Sequence, residues 1–186
     1  MPSSQIQAVT LACHPDTRSA AVHSVAAQVR RRPDATLTVT YVIEATLERL
    51  RIPAPRPPRL GERLWQHSCC ELFIARKGLP AYHEFNFAPS GEWSVYAFRG
   101  YRDAAPPADG TLQPRIALRR AVDRLELEAT IRLLPTYRDQ RLSMGLAVVA
   151  EEDNGSLSYW AIRHAPGKPD FHHPDAFAAE LDEVRD

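Results

Sequence analysis

The chain has 186 residues, 44% hydrophobic and 25% charged, the composition of an ordinary folded domain large enough to bury a core. Its 23 Lys and Arg balance 23 Asp and Glu, and a formal net charge of zero argues against a nucleic-acid partner. No apolar run approaches the roughly 18–20 residues of a membrane-crossing helix, and Met1–Ala12 lacks the basic head and apolar stretch of a signal peptide.

Cys13, Cys69 and Cys70 form neither an even disulfide framework nor a zinc spacing, so they read as buried free thiols in a reducing compartment, the cytoplasm. The basic clusters Arg30-Arg31-Arg32 and Arg119-Arg120 read as solvated strand ends.

Along the chain, 16 prolines and repeated turn signals cut the sequence into short segments of strand character. Gln5–Ala12 is a first strand, and Ala20–Arg30 fits either helical or strand period. In Thr36–Ala45, Leu37, Val39, Tyr41 and Ile43 fall on one face and Thr36, Thr38 and Thr40 on the other. The four prolines of Ile52–Leu60 exclude helix and central strand and predict an extended crossing loop.

Three hairpins follow. Tyr82–Phe87 and Trp93–Arg99 flank Ala88-Pro89-Ser90-Gly91; Arg115–Arg120 and Arg124–Leu133 flank Ala121-Val122-Asp123. Leu142–Ala150 and Ser156–Arg163 flank a turn that closes on Asn154-Gly155. Pro174–Val184 reads as a short helix. The expected fold is all-β over residues 1–186 as one domain: an antiparallel two-sheet β-sandwich, jelly-roll or immunoglobulin-like, with that short C-terminal helix.

Candidate functional residues lie in two stretches. In Leu64–Arg102, alternation puts Cys69, Glu71 and Phe73 opposite Cys70, Leu72 and Ile74, and puts Tyr82, Glu84 and Asn86 opposite His83, Phe85 and Phe87. Carboxylates beside aromatics on a strand need partners, because an unpaired buried charge is costly. Glu71, Glu84 and Asn86 are therefore read as one polar cluster, with Arg99 or Arg102 as its cation, or else as residues of a solvated outer face.

The second stretch, Ser158–His173, compresses Tyr159, Trp160, His164, Lys168, Asp170 and His172 into a strand end and a proline-glycine loop. Alternatively, Trp160 and Phe171 plug the core and the polar groups face solvent.

Catalytic signatures are sparse: there is no G-x-S-x-G, no phosphate-cradling glycine loop and no H-E-x-x-H. Glu71 with Glu84 could serve as an acid–base pair, and Cys69 or Cys70 with His164 as a nucleophile pair. No metal site is expected. Haem would need an axial pair such as Met144 with His164.

The stretches L-W-Q-H-S-C-C-E-L-F-I, Y-H-E-F-N-F-A-P-S-G-E-W-S-V-Y-A-F-R-G-Y-R and S-Y-W-A-I-R-H-A-P-G-K-P-D-F-H resemble bacterial DOMON-like domains, which are similar in turn to family 9 carbohydrate-binding modules. The resemblance implies a β-sandwich that binds sugars or, in some relatives, haem. By position it favours Trp65, Glu71, Tyr82, Glu84, Asn86, Trp93 and Arg102, joined by Trp160, His164, Lys168 and Asp170. The sequence departs from that pattern at Cys70, where the family has an aromatic.

Because secreted sugar-binding modules carry export signals, the expected ligand is a small cytoplasmic sugar, a nucleotide sugar or a cell-wall precursor. The leading expectation is thus a non-catalytic binding domain for a small molecule, with no membrane or nucleic-acid partner and no cofactor. A carboxylate-pair hydrolase or isomerase, a protein-interaction module and a haem electron-transfer domain are the alternatives.

Overall fold

A computed structural model describes residues 5–106 and 113–183 of the chain. The strands, in chain order, are β1 (Gln5–Cys13), β2 (Val22–Arg31), β3 (Thr36–Ala45), β4 (Arg59–Leu60), β5 (Cys69–Arg76), β6 (Tyr82–Phe87) and β7 (Glu92–Gly100). They continue with β8 (Asp103–Ala104), β9 (Arg115–Arg120), β10 (Arg124–Arg132), β11 (Leu142–Glu151), β12 (Leu157–Ala161) and β13 (Ala179–Leu181). Among the described residues the only helical pieces are three-residue 3-10 turns, so the protein is all-β. Proline and β-branched residues oppose helix throughout.

The strands hydrogen-bond in the order β4-β7-β6-β5-β11-β12-β1-β2-β3-β10-β9, with β13 beside β11 and β8 beside β7. Every pairing is antiparallel except that of β4 with β7. Where the sequence predicts two separate sheets, the structure has one sheet that curls back on itself. The join is β1: Gln5–Leu11 pairs with β2, while Ala12 and Cys13 pair with β12.

Each half of the curled sheet turns its apolar face inward. Val25, Val29, Leu37, Val39 and Tyr41 of one half meet Leu72, Ile74, Phe85, Phe87, Leu146 and Val148 of the other in a single core. Burial on that scale supplies the main stabilisation at about 25 cal/mol per Å² of apolar surface. Two hydroxyls stitch the halves: Tyr41 donates to the Glu71 carbonyl at 2.6 Å, and Tyr137 to the Ile74 carbonyl at 3.0 Å.

One open choice is decided and two expectations change. Residues 20–30 take the strand alternative, since Val25, Ala27 and Val29 are buried at period two. The C-terminal helix is replaced by a 3-10 turn, Pro174–Ala176, and β13; its last expected residue, Val184, lies outside the described residues. Ala179 and Leu181 alternate inward while pairing with Met144 and Leu142, so β11 dictates a strand there. Arg31 is not solvated: its buried guanidinium donates to the carbonyls of Gln140, Asp182 and Tyr137.

The proline-rich segment 52–60 does run as an extended crossing. It is seated by the Arg56 amide donating to the Ser90 carbonyl at 2.7 Å, and Gly91 lies so close that a Cβ there would come within 2.7 Å of the Arg56 carbonyl oxygen.

Candidate functional site

Strand pairing builds the site rung by rung on the face of β5, β6 and β7 that looks away from the core. Glu71 stands opposite Asn86, and Asn86 opposite Ser94. On the next rung Phe73, Glu84 and Tyr96 are aligned, and on the third Ala75, Tyr82 and Phe98. Val149 and Tyr159, paired on β11 and β12, continue this wall on the other side of Glu71.

Over the wall fold the 3-10 turn bearing Trp65, the β7–β8 turn bearing Arg102 and the loop carrying Pro169, Phe171 and His172. Together they enclose a half-open cavity of about 350 Å³ lined by Trp65, Glu71, Glu84, Tyr96, Phe98, Arg102, Val149, Tyr159, Pro169, Phe171 and His172.

The polar groups form a chain along one side. The Asn86 amide donates to Glu84 Oε1 at 2.8 Å, and His172 Nε2 lies 3.4 Å from Glu84 Oε2. The Tyr82 hydroxyl accepts from the Arg102 amide at 3.2 Å and shares a 2.8 Å hydrogen bond with His172 Nδ1. Burial, helped by the nearby Arg102 charge, lowers the His172 pKa to about 4 and keeps the ring neutral.

Arg102 donates to Asp170 at 2.7 Å, and the Tyr101 hydroxyl also binds that carboxylate. Burial alone would raise the Asp170 pKa, but these bonds hold it below the ordinary value. Arg102 occupies the left-handed region with φ of 53°, a conformation that costs on the order of 1 kcal/mol for a non-glycine residue. The turn is stabilised by Tyr82 and Asp170 together.

Glu71 differs from every other charged group here. It is 3% exposed, and its Oε1 has no hydrogen-bond partner among the described residues. Burial, and then the neighbouring Glu84, push its pKa well above the carboxylate range, which favours the neutral acid. Glu84 is also raised by burial, though the Asn86 amide and Arg102 pull against that. Ser94 Oγ, one rung-place beyond Asn86, is likewise buried without a partner.

Of the sequence candidates, Trp65, Glu71, Glu84 and Arg102 line the cavity. Tyr82, Asn86 and Asp170 bond directly to those lining groups or to His172. Tyr82 also stacks on Phe98, with ring centres 4.7 Å apart.

Trp93 and Trp160 go elsewhere. Both belong to the core, because each sits one residue out of phase with the cavity-facing Ser94 and Tyr159. His164 holds the loop from behind, donating to the Ala12 carbonyl at 2.8 Å beside the His14 ring. Lys168 is exposed and outside the lining. Arg99 is spent on Asp103 at the surface, so Arg102 is the cluster's cation.

Tyr159 and His172, candidates of the second stretch, also line the cavity, whereas Tyr96, Phe98, Val149, Pro169 and Phe171 are lining residues that the sequence does not single out as ligand residues. For Tyr96 and Phe98 the missed signal is the hairpin register, which aligns them with Glu84 and Tyr82.

The rival chemistries fare unevenly. Met144 is fully buried in the core and His164 is occupied at the loop, so they do not frame a haem. Cys69 and Cys70 are buried thiols with raised pKa, Cys70 pointing into the core, which disfavours a thiolate nucleophile. Among the described residues no group of three or more His, Cys, Asp or Glu side chains is placed to hold a metal ion.

No protein-family model and no curated protein matches the chain. Solved structures do. A candidate carbohydrate-binding protein from Bacteroides uniformis superposes with a TM-score of 0.60 at 14% identity, over 92% of this chain and 83% of that one. A family 9 carbohydrate-binding module from Caldicellulosiruptor kristjanssonii, solved with glucose, superposes with a TM-score of 0.57 at 12% identity, over 96% of this chain and 86% of that one. At such identities the likeness establishes a shared all-β fold.

Proposed function

We propose that the cavity binds a sugar or sugar-bearing metabolite without transforming it. The observation that carries this reading is the convergence of five aromatic rings (Trp65, Tyr96, Phe98, Tyr159 and Phe171) with two carboxyls and a clamped guanidinium in one half-open concavity. Rings offer flat apolar faces to the C–H side of a pyranose, while carboxyls and guanidinium bond its hydroxyls.

Two fold neighbours described as carbohydrate-binding support the reading, one of them solved with glucose. The further likeness to DOMON-like domains, and the cytoplasm as compartment, are proposed on the sequence stretches above and on three free thiols.

The test is a thermal-shift and calorimetric screen against monosaccharides, disaccharides, sugar phosphates and nucleotide sugars. A ligand at about ten times its Kd adds about 1.4 kcal/mol, a rise of roughly 3–6 °C in Tm for a chain of this length. Trp65→Ala should weaken binding by about tenfold or more with little change in Tm. A full panel that leaves Tm unmoved at millimolar concentrations defeats the sugar reading.

One observation favours a second reading. Glu71 and Glu84 share one wall and both have raised pKa, the arrangement of an acid–base pair in a hydrolase or isomerase. Product formation from any bound sugar, abolished by Glu84→Gln, would select it over simple binding.

A further inference from the structure

Glu71 presents an unsolved electrostatic problem on the floor of the cavity. Its strand neighbours on the cavity face are Ala147 on one side and Asn86 on the other. Asn86 gives its amide proton to Glu84, not to Glu71. The cavity's one guanidinium, Arg102, is held by Asp170 at the rim. The imidazole of His172 is neutral, bonded to Tyr82 through Nδ1, with Nε2 3.4 Å from Glu84. The lining therefore contains two carboxyls and no uncommitted cation, enclosed by aromatic faces whose negative quadrupoles also attract positive charge. A buried carboxyl oxygen with no partner is a costly feature unless something outside the chain completes it.

We propose that the site selects sugars bearing a free amine, whose ammonium group forms an ion pair with Glu71 beneath the ring platform. This deepens the sugar-binding reading and rests on it. The step is a proton exchange: the ligand arrives as R–NH3+, the Glu71 carboxylic acid loses its proton to solvent, and the ammonium–carboxylate pair remains. No covalent bond forms or breaks apart from that O–H.

The titratable groups around Glu71 are Glu84 on β6, which acts on it, and Cys69 and Cys70 on β5, Tyr159 on β12 and Tyr41 behind the sheet, whose own pKa values it raises. Arg102 and His172 stand beyond Glu84. Burial and the Glu84 charge both keep the proton on Glu71 in the empty site. An incoming cation reverses that balance.

The experiment is isothermal titration of the intact chain with glucosamine, glucose, N-acetylglucosamine and glucuronate at about pH 6, where a sugar amine is charged. Each titration is run in two buffers of different ionisation enthalpy. The expected result is glucosamine binding at least about tenfold more tightly than glucose or N-acetylglucosamine, with glucuronate weakest. Glucosamine should release close to one proton per site and glucose none. In Glu71→Gln the glucosamine-to-glucose affinity ratio should fall to about one and the proton release should vanish.

The proton count on the unaltered protein stands even if that variant folds poorly. Equal affinities for glucosamine and glucose overturn amine selection, and a preference for the amine with no proton released overturns the ion pair with Glu71; either result leaves sugar binding intact. Failure of every sugar to bind overturns both.

Discussion

Glu71 and His172 pull the stability of this protein in opposite directions with pH. The Glu71 carboxyl has a folded-state pKa raised above its ordinary value near 4.5, so the folded chain binds the proton more tightly than the unfolded one. Its contribution is fully present below that value and is lost as pH rises through the folded pKa. Glu71→Gln keeps the shape and removes the proton equilibrium. We expect no change in Tm near pH 4 and a gain of a few degrees near pH 8, read from a pH series of melting curves. Flat differences across that range would mean that Glu71 is satisfied by water.

His172 works the other way. With its pKa lowered from 6.5 to about 4, its contribution is present above 6.5 and fades as pH falls toward 4. Arg31 supplies a third residue-scale expectation. Its guanidinium serves three carbonyls that close the segment after β10 and the chain's end, and Arg31→Ala leaves those acceptors buried. A loss of about 3 kcal/mol or more is expected in urea unfolding.

At the scale of the element, strand phase separates fold from site. Trp93 and Tyr96 lie three residues apart on β7 and face opposite ways; Tyr159 and Trp160 are adjacent on β12 and do the same. Trp160→Ala should cost about 3–5 kcal/mol through a core cavity, whereas Tyr159→Ala should cost well under half as much and act on ligand affinity instead. Paired unfolding and titration measurements distinguish them.

The same strands show how much of the site could be read from the chain. Alternation within β5 and β6 correctly puts Glu71, Tyr82, Glu84 and Asn86 on one face, because the pleat is a local property. Trp93 and Trp160, which the family resemblance favours by position, are out of phase with that face and belong to the core. The hairpin turn at Ala88–Gly91 would have aligned Glu84 with Tyr96 directly. The C-terminal segment failed for a different reason: its strand exists only because β11 offers an open edge there.

For the whole molecule, curling places the site's floor directly over the opposite half. The Tyr41 hydroxyl on β3 reaches the carbonyl of Glu71 itself. Tyr41→Phe should lower stability by about 1–2 kcal/mol and, by loosening the strand that carries Glu71, raise hydrogen exchange along β5 more than along β9. Equal exchange in both strands would show that the halves are coupled by packing alone.

Most strand positions (though not β2 or β13), turn chemistry, the extended proline crossing and the all-β class were already determined by the sequence, since each depends on steric preferences acting over a few residues. Tertiary structure alone decided that the sheet is continuous through β1, that Arg31 is a buried clamp, and that Phe171 and His172 close over Glu71 and Glu84. Those outcomes depend on contacts between groups dozens of residues apart. Burial changes the energies there, and side-chain periodicity carries no record of which distant face a strand will meet.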